Sequence, residues 1–329
     1  MEINNVIREG NGIVYHYTSL DTFLKILDGV KYNHFIFHAT EIFSMNDPTE
    51  FYHGFNELWS LLPQIEDNLY RTIKEKQQDY RIDECLLDNR YRLSNMWNNR
   101  GNNEEKWLNV YIKEMRQSYR FPFVVSFSCQ EDFLPMWLTY GDNGNGIALG
   151  FDIQSYYTKL VKEDGSMLLD FTNYNENEQH SLLVSYDRVS LYHPLSREVC
   201  GSIIQYLRTI PKLNIDNDSL FYFQMKALDN ITRYASALMK NSAYKYEKES
   251  RLLFNCQNTK ELQFKISSKK KMLPYIKVGI PISKLMKIIV GPCCDFQTIK
   301  SALKTIMAQK NIHFNDENII KSEVPYRIV

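Results

Sequence analysis

The sequence predicts an α+β chain with a mixed, mostly antiparallel β core and helical insertions. Short β-branched and aromatic segments predict strands, and amphipathic stretches between them predict helices. Hydrophobic residues make up 44% and charged residues 24% of the 329 residues, which is typical of a globular chain with a sizeable core. No internal repeat and no low-complexity linker divides the sequence. We therefore expect one α+β domain over 1–329.

The first predicted elements are a strand and a helix. Residues 13–18 are β-branched and aromatic with polar residues interleaved, which predicts a strand. A helix with one apolar face is predicted over 20–28. Thr18 or Ser19 can cap its start, and Gly29 ends it.

Residues 34–38 predict a second strand. The turn at 46–48 follows, because an Asp before Pro is pushed out of the helical region, and a helix is predicted over about 48–62. The charged stretch 64–118 has apolar residues at helical spacing, which predicts two or three helices. We assign a helical insertion to about 56–118.

The middle of the core is predicted from an apolar strand at 122–128 and a short helix at 133–140. A strand over 146–152 follows. A helix near 153–163 and strand-like pieces up to Tyr186 complete this part.

A second helical insertion is predicted near 190–241, with helices over 195–210 and 218–241. The chain then returns to the core with strands at 246–256 and 274–280.

The predicted core ends with a turn at 281–286 and a strand at 287–291. An amphipathic helix over 296–309 and a weakly alternating tail at 319–328 follow it. The core segments are therefore about 13–55, 119–186 and 242–328.

Charge and cysteine usage narrow the functional classes. Lys+Arg and Asp+Glu both number 39, and this balance argues against a general nucleic-acid coat while leaving a local basic patch open. The six cysteines form no C-x-x-C pair, so we expect no metal site and a reducing cytoplasm. The N-terminus lacks the basic and apolar regions of a signal peptide, and no long apolar run exists. We expect no membrane partner.

Two polar clusters lie in the first fifty residues. On a strand, His16 and Thr18 face one way and Tyr17 the other. A neutral imidazole can bind a ribose hydroxyl and a tyrosine can stack on a ring, but this strand alone favours a core histidine with a satisfied tautomer. Asn46, Asp47 and Glu50 form a loop that contacts a ligand or merely caps the next helix.

A third cluster follows the strand at 122–128. The hydroxyls of Ser126 and Ser128 share one face and need partners if buried. Trp137 and Tyr140 offer aromatic walls. The glycine-rich loop after Tyr140 lets backbone approach a ligand closely, although no P-loop or Rossmann fingerprint is present.

The fourth cluster is Glu247-x-Glu249-x-Arg251. On a strand its three charges would share one face, with the two carboxylates roughly 6–7 Å apart. Two such carboxylates can orient a hydroxyl and stabilise a developing cation. The alternative is that the cluster forms an exposed ion pair on an edge strand, which contributes little.

These motifs in this order resemble a widespread bacterial family catalogued as domain of unknown function 2971, over about residues 13–328. The family often has a Trp shortly before the acidic motif, where this chain has Tyr244. The resemblance implies, as an expectation, a role in bacterial phage defence or as a toxin. The matching motifs are His16-Tyr17-Thr18, Asn46-Asp47-Pro48-x-Glu50, Ser126-Phe127-Ser128, Met136-Trp137-x-x-Tyr140, Gly146 to Asp152, Glu247-x-Glu249-x-Arg251 and Ile288-Ile289-Val290-Gly291-Pro292.

The order is also similar, more distantly, to ADP-ribosyltransferases, which build an NAD site from a strand-borne His or Arg, a Ser-x-Ser strand and a Glu-x-Glu strand. This resemblance implies an ADP-ribosyltransferase-like fold and NAD as a substrate cleaved at its nicotinamide–ribose bond, with no metal. Glu249 would bind the ribose 2′-hydroxyl and stabilise the oxocarbenium-like transition state. Glu247 would position the acceptor, which is a protein, a nucleic acid or water.

The same resemblance implies the residues that bind NAD. His16 would hold the adenosine ribose, and Ser128 would place the nicotinamide ribose with support from Ser126. A ring would stack on nicotinamide. The candidates for that ring are Tyr17, Trp137 and Tyr140, and Thr18 and Arg251 complete the expected NAD site.

Two other functions remain open from the residues alone. One is a nuclease or phosphodiester hydrolase in which Glu247, Glu249, Asp47 and Glu50 hold Mg²⁺. The other is a non-catalytic sensor that binds a nucleotide in the aromatic pocket.

Overall fold

Over the residues that it describes, the computed structural model is mixed α/β, with a mostly antiparallel open sheet and few helices, which confirms the coarse predicted class. Among the residues it describes, no helix has both the length and the apolar character needed to cross a bilayer. The described residues are 12–45, 49–60, 113, 116–117, 121–153, 156–157, 160–161, 167–168, 178–179, 182–183, 237, 239–256, 259–266 and 270–326.

The described α-helices and strands follow one another along the chain without a repeating unit. The helices are α1 (Leu20–Asp28), α2 (Glu50–Ser60), α3 (Leu134–Thr139) and α4 (Phe296–Gln309). The strands are β1 (Ile13–Thr18), β2 (His34–Glu41), β3 (Pro122–Ser128), β4 (Ile147–Asp152), β5 (Tyr156–Tyr157), β6 (Leu160–Val161), β7 (Met167–Leu168), β8 (Glu178–Gln179), β9 (Leu182–Leu183), β10 (Glu249–Asn255), β11 (Gln263–Ile266), β12 (Met272–Pro281), β13 (Leu285–Val290) and β14 (Ile319–Lys321).

Ten of these strands form one sheet, in the order β11, β12, β2, β3, β1, β4, β13 and β14, with β10 paired to β3 and β9 paired to β10. β13 and β14 run parallel, whereas β1 pairs antiparallel with both β3 and β4. Tyr15 lies opposite Ser128 of β3, and His16 lies opposite Leu149 of β4. Because directly paired residues point to the same side of a sheet, this register assigns each side chain near the centre to a face.

Two apolar clusters pack against this sheet and define its faces. Face A carries the larger cluster, into which α1 contributes Phe23 and Leu27 and α4 contributes Leu303 and Met307. Face B carries a smaller cluster with residues from α3. On face A the strand residues include Val14, Phe37, Phe127, Leu149, Leu252 and Ile288. On face B they are Tyr15, Tyr17, Ala148 and Ile289.

Local capping explains why the two longer face-A helices start where they do. The hydroxyl of Ser19 accepts a hydrogen bond from the backbone N–H of Thr22, and α1 follows it. The carboxylate of Asp295 accepts from the N–H groups of Gln297 and Thr298 at the start of α4. The predicted helices over 20–28 and 296–309 are confirmed with these bounds.

The chain divides into two units. One comprises Met1–Met45, Phe123–Val184 and Ala243–Val329, and the other comprises Asn46–Pro122 and Ser185–Ser242. The first unit contains the strands of the large sheet apart from the first residue of β3. The single domain with two helical insertions stays a prediction.

Several predicted elements differ from the structure. The predicted helix near 153–163 is wrong, because Tyr156–Tyr157 and Leu160–Val161 are strands. They pair antiparallel with β8 and β7, so cross-strand partners prevail over local helical spacing. The second strand extends to Glu41, and β11 was not predicted.

Other predicted strands differ from the observed strands in where they begin or end. In the tail predicted as a strand over 319–328, the described residues up to 326 form a strand at Ile319–Lys321 and none after it. The strand predicted from 246 begins at Glu249, after a 3-10 helix over Ser242–Glu247. Most of the helices predicted within 64–118 and 195–241 fall outside the described residues.

Candidate functional site

The candidate site lies on face B of β3 and β10, which are neighbouring strands. Val125 and Phe127 of β3 belong to the same face-A cluster as Leu252 and Phe254 of β10. Because side chains alternate along a strand, residues one or three positions from these face-A residues point to face B. The side chains thus brought together are those of Ser126, Ser128, Glu249 and Arg251.

A buried ion pair forms the centre of this site. Nε of Arg251 donates to Oε1 of Glu249 and Nη2 donates to Oε2, both at 2.8 Å. Glu249 is 4% exposed and Arg251 is 0% exposed. The planar guanidinium therefore engages both carboxylate oxygens, which is the strongest geometry for such a pair.

Glu247 is held by different means from Glu249. It ends the 3-10 helix, and Lys248 between the two acidic residues has a φ of 40°, so Glu247 does not lie on the strand where the sequence predicted it. Ser128 Oγ donates to the carbonyl of Glu247 at 2.6 Å, and Tyr140 donates to its Oε1 at 3.0 Å. Tyr140 therefore holds the carboxylate of Glu247, and Ser128 holds its backbone.

The two serines of β3 have different environments. Ser128 is 0% exposed, and its Oγ also accepts from the N–H of Gln130 at 3.0 Å. Ser126 Oγ is buried and has no hydrogen-bond partner among the residues described by the structure. A buried hydroxyl without a partner is costly, so Ser126 is the serine with hydrogen-bonding capacity to offer a ligand.

The three candidate stacking rings differ in accessibility. Trp137 is 0% exposed and meets the ring of Tyr17 edge-on at 4.9 Å. Tyr17 is buried, burial raises its pKa, and its hydroxyl donates to the carbonyls of Gln130 and Glu131. Neither ring offers a face to a ligand, whereas Tyr140 is half-buried.

His16 and Thr18 lie apart from these residues, on face A. The His16 ring contacts the rings of Phe37 at 5.2 Å and Phe127 at 5.8 Å, both in the larger apolar cluster. Its Nδ1 lies 3.0 Å from the carbonyl of Ser126, and since a carbonyl only accepts, Nδ1 carries the proton. The side chains of His16 and Thr18 therefore lie on the opposite face of the sheet from those of Tyr17, Ser126 and Glu249.

We expect His16 to make the protein less stable as the pH falls. Burial lowers the pKa of His16 below its ordinary value of about 6.5, although the hydrogen bond to Ser126 opposes this. Below that pH the unfolded chain binds the extra proton and the folded chain resists it. The stabilisation is thus full above pH 6.5 and is lost towards the lower pKa of the folded state, by at most about 1.4 kcal/mol per pH unit.

The measurement is the free energy of unfolding between pH 7 and pH 5, by urea titration. His16→Asn keeps a donor for the Ser126 carbonyl and cannot titrate, so its stability should depend less steeply on pH than that of the wild type. The exposed His313→Asn is the matched control. Equal slopes for wild type and His16→Asn would contradict the assignment.

The predicted supporting loop is only partly described. Asn46 and Asp47 fall outside the described residues, and Glu50 is the first residue of α2. Glu50 is buried at 1% exposure, with Lys240 Nζ 4.0 Å from its Oε2. Within the described ranges, no group of three or more His, Cys, Asp or Glu side chains is arranged to hold a metal ion.

The glycine-rich loop packs against protein backbone. A Cβ added at Gly146 would lie 2.2 Å from the carbonyl oxygen of Thr18, and one at Gly291 would lie 2.3 Å from that of Gly144. The N–H of Gly291 donates to the carbonyl of Gly146 at 2.9 Å. These glycines serve close backbone contact between the ends of β1, β4 and β13.

Two acidic residues beside the site were not identified from the sequence. Asp132 accepts from Nε1 of Trp137 at 2.6 Å, from Oγ of Ser322 at 2.8 Å and from the N–H of Glu323 at 2.7 Å. Glu131 pairs with Lys287 and raises the pKa of Tyr15, after the larger effect of burial. Apart from Trp137, their hydrogen-bond and ion-pair partners Ser322, Glu323 and Lys287 are more than 150 residues away in sequence, so no local pattern indicates these contacts.

Comparison with known protein families gives a match that covers part of the candidate site. Residues 136–252 match the model of a family described as a protein of unknown function, DUF2971. The match supports the resemblance to that family over this stretch, which includes Trp137, Tyr140 and the acidic motif. No curated protein and no solved structure gives a significant match to the chain.

Proposed function

We propose that the chain cleaves the nicotinamide–ribose bond of NAD on an ADP-ribosyltransferase-like fold, as an ADP-ribosyltransferase or NAD glycohydrolase. The observation that carries the proposal is the pairing of β3 with β10, which places Ser126-x-Ser128 beside Glu249 and Arg251 on face B. A bacterial defence or toxin role, including phage defence, would use the same reaction to deplete NAD or modify a target.

Glu249 is the proposed catalytic residue. A carboxylate has about four lone-pair positions, so Glu249 can accept a ribose 2′-hydroxyl while it holds the Arg251 fork. Arg251 is a positioning residue, because it balances the buried negative charge and fixes the plane of the carboxylate. A fixed negative group in a site with little water stabilises positive charge that develops on the ribose.

The reaction balances without a redox partner. The bond between ribose C1′ and the nicotinamide nitrogen breaks, and its electron pair leaves with nicotinamide, which loses its positive charge. The acceptor oxygen or nitrogen then forms a bond to C1′ and releases a proton. Glu247 is placed to orient that acceptor, because Tyr140 and Ser128 hold its side chain and backbone.

The remaining contacts to NAD follow from accessibility. Ser126 Oγ is the buried hydroxyl with capacity for a ligand oxygen, and the half-buried Tyr140 is the ring best placed to stack on nicotinamide. Ser128 positions Glu247 through its hydrogen bond to the Glu247 carbonyl. This proposal uses face B alone, so it assigns His16, Thr18, Tyr17 and Trp137 to the support of the fold.

We expect the purified protein to release nicotinamide from NAD in the presence of EDTA, and Glu249→Gln to lose the activity by a factor of at least about a hundred. Chromatography of nicotinamide and ADP-ribose is the measurement. The exposed Glu317→Gln is the matched control and should retain full turnover. Circular dichroism is recorded for each variant, because Gln keeps an acceptor for Arg251 but loses the charge.

Glu249→Asp adds a second test that preserves the charge. Its shorter side chain withdraws the carboxylate from the ribose, so turnover should fall while the fold persists. Full turnover in a folded Glu249→Gln or Glu249→Asp variant would remove the mechanism. Turnover abolished by EDTA would instead indicate metal-dependent chemistry.

A second candidate is a nucleotide sensor without turnover, and the burial of Glu249 favours it. Both carboxylate oxygens already bind Arg251, and the side chain is 4% exposed. The sensor predicts that NAD raises the melting temperature without nicotinamide release. An NAD titration by thermal shift therefore distinguishes the two functions.

A further inference from the structure

A hairpin at the edge of the sheet carries an exposed apolar surface that the proposed NAD site does not use. β11 is the terminal strand and pairs antiparallel with β12. Ile266 lies opposite Met272, so both side chains point to the same face as Phe264, two residues earlier. Their exposed fractions are 67% for Ile266, 66% for Met272 and 50% for Phe264.

The same hairpin is strongly basic in a chain with no net charge. Residues 263–281, from the start of β11 to the end of β12, contain five lysines and no acidic residue, although the 39 basic and 39 acidic residues of the whole chain balance. Lys270 and Lys271 are exposed directly before Met272. Apolar side chains and positive charges therefore meet on one small surface.

Edge protection, self-association and nucleic-acid binding each account for only part of this surface. Lysines on an edge strand discourage pairing with another strand, but this protective role does not explain the three exposed apolar residues beside them. A second copy of the chain would bring the same lysines together, and their repulsion disfavours such a pair. A nucleic acid would complement the positive charge, but binding it would not explain the exposed aliphatic side chains of Ile266 and Met272.

We propose that this hairpin surface, formed by Phe264, Ile266, Met272, Lys270 and Lys271, binds the surface of an anionic phospholipid bilayer. The apolar side chains enter the boundary between headgroups and acyl chains, and the lysines contact the negative headgroups. The sequence predicts no membrane partner, because it contains no long uninterrupted apolar run. Peripheral binding needs no spanning segment and does not depend on the proposed NAD chemistry.

The test is co-sedimentation of the full chain with vesicles of phosphatidylcholine alone or mixed with phosphatidylglycerol. We expect binding only to the anionic vesicles, and weaker binding as salt is raised. Lys270→Glu should weaken binding about tenfold or more, because two units of charge change near the surface. Met272→Ser should weaken it about fivefold or more through lost apolar burial.

Matched controls lie elsewhere on the protein. Met286→Ser changes another exposed methionine, and Lys321→Glu reverses another exposed lysine, and both should bind vesicles like the wild type. No sedimentation with anionic vesicles, or equal sedimentation with neutral ones, would overturn the proposal. Oligonucleotide binding lost in Lys270→Glu but kept in Met272→Ser, with no vesicle effect of Met272→Ser, would assign the surface to nucleic acid instead.

Discussion

Arg251→Ala should cost about 3–5 kcal/mol of folding free energy, a loss typical of breaking a buried ion pair. The substitution removes both hydrogen bonds that reach Glu249 from the guanidinium, while the carboxylate stays almost fully buried. The folded state must then hold the buried Glu249 charge without its guanidinium partner or bind a proton. Urea unfolding at neutral pH measures the change in the free energy of unfolding.

Two further variants separate charge from geometry. Arg251→Lys keeps the positive charge but loses the planar fork, so its stability should lie between wild type and Arg251→Ala. The double variant Glu249→Leu/Arg251→Met removes both charges and should be more stable than Arg251→Ala alone. Equal losses in the double variant and in Arg251→Ala would show that the Glu249 carboxylate left without the guanidinium is not the source of the effect.

An exposed ion pair supplies the control. Lys304 and Asp316 form a salt bridge with side chains 44% and 52% exposed, so Lys304→Ala should cost less than about 1 kcal/mol. A loss below that value for Arg251→Ala as well would contradict the buried pairing of Arg251 and Glu249.

Some parts of this fold were predictable because their causes are local. α1 and α4 begin at a capping Ser19 and Asp295 and carry apolar residues at helical spacing, so both bounds follow from short windows of sequence. The same holds for β1 and β3, whose β-branched and aromatic residues fill a buried strand. Local information was sufficient there because the tertiary environment agrees with it.

Other parts depend on partners far along the chain. β5 and β6 are strands because they pair with β8 and β7, which no window around 153–163 contains. The strand β11 is short and polar at alternate positions, and it is a strand because it pairs with β12. Local spacing cannot anticipate such pairing.

The site shows the same division at the level of single residues. The order of motifs indicated Ser126, Glu249 and Arg251, and β3 and β10 are neighbours in the sheet. The positive φ of Lys248 excludes Glu247 from the strand, and the residue types around Lys248 do not predict it. The burial of Trp137 depends on contacts with Tyr17 and Asp132, so an aromatic residue predicted for a pocket lies in the core.

Trp137→Ala should destabilise the protein by about 3–5 kcal/mol, and Trp137→Phe by clearly less. The ring is 0% exposed and packs edge-on against Tyr17, so Ala leaves a cavity in the face-B cluster that includes Met136 and Ile289. Phe fills most of that volume but loses the indole N–H that donates to Asp132. The free energy of unfolding of the two variants therefore separates packing from the hydrogen bond.

Asp132 decides whether this cluster also anchors the segment after β14. Its two oxygens still accept from Ser322 and from the backbone N–H of Glu323 when Trp137 is replaced, so Trp137→Phe should leave that segment in place. Asp132→Ala removes all three acceptor contacts at once. Hydrogen exchange of the Glu323 amide should be fast in Asp132→Ala and close to wild type in Trp137→Phe. If Trp137→Phe exposed that amide equally, the indole would be the anchor, because Asp132 could not then hold the segment without it.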